Sequence, residues 1–210
     1  MRSSPAKALE TKDSRLDALY RSIQSSFRTR YTGRFGQVFV PGAGNINSPL
    51  VFLGEAPGRE EEEARSPFVG AAGRNLNMLL RQIGLSRDKI FITNVVKYRP
   101  VASTGARARN RPLTRTEIRN AHDWILSEIE IIGPKLVVCL GASASWAFTT
   151  GAAAVMAESA GTVVPYGRFQ LFVTYHPSPL NWNNPQRRAR MIEAFARLAQ
   201  MLQHVPFRCA

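Results

Sequence analysis

The chain has 210 residues, 44% hydrophobic and 20% charged, and its 28 Lys and Arg against 15 Asp and Glu give a formal net charge of +13. This composition excludes a wholly disordered chain and is sufficient for one domain with a buried core. No apolar run approaches the roughly 20 residues of a membrane span, and the N-terminus lacks the apolar stretch of a secretion signal. Two cysteines, Cys139 and Cys209, are too few for a disulfide framework or a four-cysteine metal site. We therefore expect a soluble intracellular protein without a bound metal.

The positive charge favours a polyanionic partner, with nucleic acid ahead of an anionic membrane or an acidic protein. The alternative is that the basic surface only keeps the protein soluble. Arginine outnumbers lysine in three clusters, at residues 28–34, 107–115 and 187–190, and its forked donors suit phosphate. None of these clusters forms the continuous basic amphipathic helix of a membrane-surface protein.

Residues 1–12 are polar and are expected to form a flexible tail, ahead of a single domain over 13–210. Apolar residues at helical spacing predict one helix over 13–29 and another over 187–202. They also predict helices that end at Gly84 and at Gly133, and a helix after the third strand. Continuous apolar runs predict buried strands at 50–53, 90–96, 136–140 and 171–175. This alternation predicts an α/β fold, a three-layer α/β/α sandwich around a central, mainly parallel four-stranded sheet. The basic segment 100–112 is interpreted as a loop within the domain.

Polar side chains follow these strands at the edge where open α/β sheets bind ligands. Glu55 follows the first strand, Asn94 ends the second and His176 follows the fourth. Taken alone, each of these residues could have a purely structural role. The same holds for Phe68, which could be a core residue. Their coincidence at one edge indicates a site that combines a carboxylate, a carboxamide and an imidazole. The acidic residues Glu60, Glu62 and Glu63 are interpreted as a solvated face.

Four segments resemble the uracil-DNA glycosylase superfamily, and its family-4 branch in particular. They are GEAPG at 54–58, PFVGAAG at 67–73, TNVVK at 93–97 and HPSPL at 176–180. The resemblance covers roughly residues 35–202 and keeps the motifs in family order. It implies a cytoplasmic, nucleoid-associated enzyme that flips uracil out of DNA and hydrolyses its N-glycosidic bond, leaving an abasic site.

The resemblance also implies roles for individual residues. Asn94 would bind the uracil edge, Phe68 would stack on the base, and Gly54 and Ala56 would line the base site. His176 would donate to the uracil 2-carbonyl oxygen as negative charge develops, with Glu55 and Glu61 as the acidic catalytic residues. Leu180 would enter the duplex as a wedge, and Ser178, Arg107, Arg109 and Arg111 would contact DNA. The implied partner is DNA that contains uracil or other deaminated bases.

The sequence departs from family 4 at the four cysteines that usually hold a [4Fe–4S] cluster. Tyr98 and Ala121 stand at two of these positions, and the region 26–30, onto which the other two map, has no cysteine. Because such clusters require thiolate ligands, we expect no cluster and no other cofactor. Tyr98, Trp124 and the 13–29 helix are the expected replacements in packing.

Two further departures bear on activity. The 100–112 loop resembles that of relatives which attach covalently to the abasic sugar through a histidine, but Asn110 is nearest to that position here. We therefore expect turnover without a stable crosslink. Glu55 stands where the most active families carry Asp, so the activity could be slower or shifted toward hypoxanthine or xanthine.

The sequence leaves two alternative functions open. One is a protein of the same fold that binds damaged or abasic DNA without useful catalysis; the presence of both Asn94 and His176 favours the enzyme. The other is an unrelated nucleotide-binding protein. It is disfavoured because neither GxxxxGKS nor GxGxxG follows the first strand.

Overall fold

The computed structural model describes residues 10–31, 34–103, 108–149 and 160–204. Arg107, Cys209 and most of the expected tail over 1–12 lie outside these ranges. No helix within them is long and apolar enough to cross a membrane.

Helices and strands alternate along the chain as the sequence predicts. The helices are α1 (Lys12–Arg30), α2 (Arg59–Ala64), α3 (Ala71–Gln82), α4 (Arg115–Ile132), α5 (Ala142–Trp146), α6 (Pro179–Trp182) and α7 (Pro185–His204). The strands are β1 (Ala43–Gly44), β2 (Leu50–Gly54), β3 (Phe91–Asn94), β4 (Leu136–Leu140), β5 (Val163–Tyr166) and β6 (Phe169–Thr174), with a short 3-10 helix at Arg87–Lys89.

The strands form one sheet in the order β1-β3-β2-β4-β6-β5. The four predicted strands, β3, β2, β4 and β6, pair in parallel at its centre. The expected number of four strands was wrong, because β1 and β5 add antiparallel edges. Both edge strands are short and partly exposed, so neither produces the continuous apolar run by which a buried strand is found in a sequence.

The sheet separates two apolar cores, which confirms the three-layer sandwich. Side chains alternate between the cores along each strand, so that Val51 and Leu53 of β2 face one core and Leu50 and Phe52 the other. The first core contains residues of α1, α4 and α5, and the second contains residues of α3 and α7.

The start of α4 is fixed by a capping box. The Thr114 hydroxyl accepts a hydrogen bond from the Glu117 N–H at 3.2 Å, and the Glu117 carboxylate accepts one from the Thr114 N–H at 2.8 Å. The helix ends at Gly133 in the left-handed conformation, with φ of 67°. The residues just before α4 therefore have a defined position, and they contact the candidate site.

Candidate active site

A cavity of about 370 Å³ opens at the carboxyl edge of the central strands. Its lining brings together most of the predicted site residues, namely Glu55, Ala56, Glu61, Phe68, Asn94, Arg111, His176 and Ser178. Its volume lies near the lower end of the roughly 300–1,000 Å³ range of small-ligand pockets. The cavity therefore has room for one small ligand.

Gly54 allows two of these side chains to approach each other. It pairs with Asn94 across β2 and β3. A Cβ atom at Gly54 would lie 2.4 Å from Asn94 Oδ1 and 2.5 Å from Phe68 Cζ. The missing side chain is thus required for the carboxamide and the ring to lie against the same strand end.

The carboxamide of Asn94 faces the cavity from a buried position, with 3% of the residue exposed. Within the described parts of the chain no group hydrogen-bonds to it, so its donor and acceptor are both available. Its main chain is fixed on two sides. The Val95 N–H donates to Gly54 O at 3.0 Å, and Lys97 Nζ donates to Asn94 O at 2.8 Å.

Behind Asn94 lies a buried ionic network that sequence analysis did not identify. Lys97 pairs with Glu128 of α4, and their side chains are 3% and 0% exposed. Tyr20 of α1 and Thr93 donate hydroxyl hydrogen bonds to the Glu128 carboxylate. Burial lowers the pKa of Lys97, against the opposing influence of Glu128. The sequence does contain one sign of this network, because Glu128 occurs at the helical spacing of the buried apolar residues of α4.

Phe68 forms one wall of the cavity and has an unusual backbone. Its φ of 55° is left-handed, which is rare for a bulky residue. Arg87 donates to Pro67 O at 2.7 Å and to Phe68 O at 2.9 Å, and so stabilises this turn. The ring centroid lies 5.7 Å from that of His176, which places an aromatic face beside the imidazole.

Glu61 connects the two loops around the cavity. Its carboxylate accepts hydrogen bonds from the N–H groups of Gly58 at 3.1 Å, Val69 at 3.0 Å and Gly70 at 2.8 Å. Glu61 thus lies at the site as predicted, but its contacts are those of a residue that positions the loops.

The Glu55 carboxylate is oriented by groups from two other segments. Oε1 accepts from the Leu113 N–H at 2.7 Å, and Oε2 accepts from the Ser143 hydroxyl at 2.9 Å. Each oxygen retains a further lone pair for a water molecule. Ser143 follows the third predicted strand in the sequence, and its contact with Glu55 was not predicted.

His176 lies close to the backbone at the end of β4. A Cβ atom at Gly141, whose φ is +95°, would lie 3.0 Å from His176 Cβ. Burial lowers the pKa of His176 to about 4, so the imidazole is neutral at physiological pH. Asn181 donates to His176 O and Asn75 to Pro177 O, both at 2.9 Å. These two asparagines position the loop and were missed, because nothing in their sequence context distinguishes them.

Leu180 protrudes from α6 at the rim of the site with 77% of its surface exposed. Ser178 precedes it and caps α6, since its hydroxyl accepts from the Asn181 N–H at 3.4 Å. The position of Leu180 is compatible with the predicted wedge.

The arginines of the 100–112 loop differ in their contacts. Arg109 is exposed, whereas Arg111 forms a fork with Glu117 at 2.7 and 2.8 Å and lies over the Phe35 ring. Arg111 is therefore already paired with a carboxylate, and Arg107 lies outside the described residues. The predicted DNA contacts of this loop remain predictions.

A buried arginine organises the same loop. Arg99 donates to Asn110 Oδ1 at 2.6 Å and to Ala108 O at 2.8 Å, and it pairs with Glu62 at 3.2 Å. The interpretation of Glu62 as a solvated residue was therefore wrong, since its side chain is only 17% exposed. Arg99 has lost its hydration through burial, and the carboxylate compensates its charge.

The region expected to replace an iron–sulfur cluster is filled by aromatic rings. Tyr98 stacks on Phe27 with centroids 3.9 Å apart, and Tyr31 lies 5.9 Å from Trp124. Ala121 is fully buried beside them. Tyr98 and Ala121 are packed at two of the ligand positions, and none of these side chains offers a thiolate, so they do not fit a cluster. No group of three or more metal-binding side chains occurs in the described ranges. Stoichiometric iron in the purified protein would contradict this conclusion.

Comparison with known proteins agrees with this geometry. The family model described as "Uracil DNA glycosylase superfamily" matches residues 41–200. The Type-4 uracil-DNA glycosylase of Thermotoga maritima is 37% identical over 73% of the chain and 77% of that protein, and that of Saccharolobus solfataricus is 36% identical over 82% and 80%. That of Archaeoglobus fulgidus is 45% identical, and the match spans about half of each chain, 49% and 48%. The chain belongs to the uracil-DNA glycosylase superfamily.

Proposed function

We propose that this protein is a monofunctional DNA glycosylase that hydrolyses the N-glycosidic bond of uracil in DNA and leaves an abasic site. The observation that carries the proposal is the convergence of Asn94, Phe68 and His176 on one small cavity in a chain of this superfamily. We assign the activity to a single domain over residues 13–210.

The target base must leave the helix to enter this cavity. The Asn94 carboxamide offers one donor and one acceptor, and the uracil edge carries a complementary N3–H donor and O4 acceptor. Phe68 stacks on the flipped base, and the hydrogen bonds from Arg87 hold the turn that presents its ring to the cavity. Gly54 and Ala56 leave room for the base at the strand end.

In the chemical step the bond between C1′ and N1 breaks, and its electron pair leaves with the base. The negative charge spreads onto uracil O2, where the His176 N–H donates a hydrogen bond. A neutral imidazole is sufficient for this donation, and burial keeps it neutral. The oxygen of a water molecule forms the new bond to C1′. Glu55 orients that water through its free lone pairs and transfers one water proton toward the departing base.

The rim of the cavity interacts with the rest of the DNA. Leu180 occupies the space left by the flipped nucleotide, in the manner of other apolar wedges. Ser178 and Arg109 contact the backbone near it. The net charge of +13 favours approach to DNA as a whole.

The test uses uracil-containing oligonucleotides, single- and double-stranded, with alkaline cleavage of the product. His176→Ala is expected to lower kcat about 10²- to 10³-fold, as loss of one such donor does elsewhere. Asn94→Ala is expected to abolish selection of uracil, while Asn47→Ala, in an exposed turn before the amino end of β2, serves as the matched control. Oligonucleotides of the same sequence, with hypoxanthine or xanthine in place of uracil, define the range of bases that the protein releases.

Two outcomes would contradict the proposal. If the wild-type protein binds the DNA but releases no uracil, the protein recognises damaged DNA without catalysis. If His176→Ala retains full activity, the role assigned to the imidazole is wrong.

A further inference from the structure

One face of α4 presents cations beside an aromatic ring, outside the cavity described above. The Arg115 guanidinium lies 4.4 Å from the centroid of the Trp146 ring at the end of α5. Arg119 follows one helical turn later on the same face. Both arginines are exposed and Trp146 is partly exposed, along a groove of about 540 Å³ between α4 and α5.

Arg115 and Arg119 differ from other arginines near the site in whether a carboxylate pairs with them. Arg99 and Arg111 pair with Glu62 and Glu117. Neither Arg115 nor Arg119 has a carboxylate partner in the part of the chain that the structure describes. Stacking on Trp146 leaves the N–H edge of the Arg115 guanidinium free to donate. Among the described residues, the surface thus carries two guanidinium groups that no carboxylate pairs with and whose N–H groups can donate.

The surface is adjacent to the catalytic carboxylate. Leu113, whose N–H binds Glu55 Oε1, is two residues before Arg115. Ser143, whose hydroxyl binds Glu55 Oε2, is three residues before Trp146, or about one helical turn. The two segments that orient Glu55 therefore also carry the cation–aromatic pair.

We infer that Arg115, Arg119 and Trp146 form a second DNA-contact surface, which binds the strand flanking the flipped uracil. This inference rests on the proposed function. The two guanidinium groups bind successive phosphates, and the partly exposed aromatic surface at Trp146 contacts an unstacked base. Single-stranded nucleic acid is recognised by this combination of a cationic track and aromatic rings. Asp123, which pairs with Arg30 at 3.7 Å, also lines the groove one helical turn beyond Arg119.

The test is the salt dependence of binding to a uracil-containing single strand long enough to cross the surface, followed by fluorescence anisotropy. The variant is Arg115→Gln/Arg119→Gln. The matched control is Arg15→Gln/Arg81→Gln, which removes two exposed cations near the amino ends of the strands, away from the groove. Loss of two phosphate contacts is expected to reduce the slope of log K against log salt by about 1.4, at about 0.7 for each phosphate of a single strand. The control should keep the wild-type slope.

Trp146→Leu, compared with Trp146→Phe, tests the aromatic contact. The leucine variant should weaken binding several-fold more than the phenylalanine variant, with kcat at saturating DNA unchanged in both. If the slope of the double variant equals that of the control, the surface does not bind DNA and the inference is wrong. An unchanged slope together with binding of polyglutamate would assign the surface to an acidic protein. If the wild-type protein releases no uracil, the proposed function fails, but the slopes can still be compared.

Discussion

Replacement of Lys97 by Met should destabilise the protein strongly. The substitution keeps the length of the side chain but leaves the Glu128 carboxylate, which is 0% exposed, without its ammonium partner. Breaking a buried ion pair in this way costs about 3–5 kcal/mol. Tyr20 and Thr93 still donate to Glu128, which favours the lower value of about 3 kcal/mol. For a domain of this size that corresponds to a fall in Tm of about 6–12 °C.

The assay is thermal unfolding followed by circular dichroism, with a double variant to identify the cause. Lys97→Met/Glu128→Gln removes both charges and keeps an acceptor for Tyr20. It should therefore melt well above Lys97→Met, since only the single variant contains an isolated buried charge. Lys97 also donates to Asn94 O, so both variants should show a lower kcat/KM for uracil release below their melting temperatures.

A Lys97→Met protein that melts within about 2 °C of the wild type would refute this reasoning, because a loss of 3 kcal/mol cannot shift Tm so little. The same applies if the double variant is less stable than the single one. That order would mean that hydrogen bonding, and not the isolated charge, dominates the network.

Further predictions concern the site itself. Because its pKa is about 4, His176 should stay neutral above about pH 5, so that kcat shows no step near the ordinary histidine value of about 6.5. The unfolded chain takes up this proton first, so the free energy of unfolding should fall as pH drops from about 6.5 to 4, and His176→Gln should flatten that slope in urea titrations. Gly54→Ala should abolish uracil release, since its Cβ meets Asn94 and Phe68; full activity would contradict the close packing. Leu180→Ala should lower kcat/KM on duplex more than on single-stranded substrate, and equal effects would exclude a wedge. Incubation with uracil DNA should give no adduct that survives denaturing electrophoresis.

The central elements could be predicted because each carries a local signal. Continuous apolar runs gave β2, β3, β4 and β6, since strands buried on both faces have no polar alternation. The edge strand β1 has two residues and no apolar run, so its pairing depends on the neighbouring β3. Local pattern therefore predicts the buried strands and not the exposed edges.

The same limit applies to the candidate site. Asn94 and His176 follow strands, where topology itself brings them to one edge. Asn75 contacts Pro177 across 102 residues, and Ser143 contacts Glu55 across 88. Such contacts depend on how the helices pack against the sheet. The spacing of apolar residues along the sequence does not encode that packing. The sequence likewise shows the charge of Arg111 but not its partner Glu117, and its contact with DNA stays a prediction.

The stacked rings of Phe27 and Tyr98 have a consequence for how the protein is made. Aromatic packing between α1 and the segment after β3 is encoded by the chain alone and is complete once the chain has folded. At this position the protein requires no delivery of iron or sulfide, and no ligand bond there can be lost to oxygen or to a chelator. Its synthesis in an iron-starved or oxidatively stressed cell should therefore yield the same folded molecule as synthesis under iron-replete conditions.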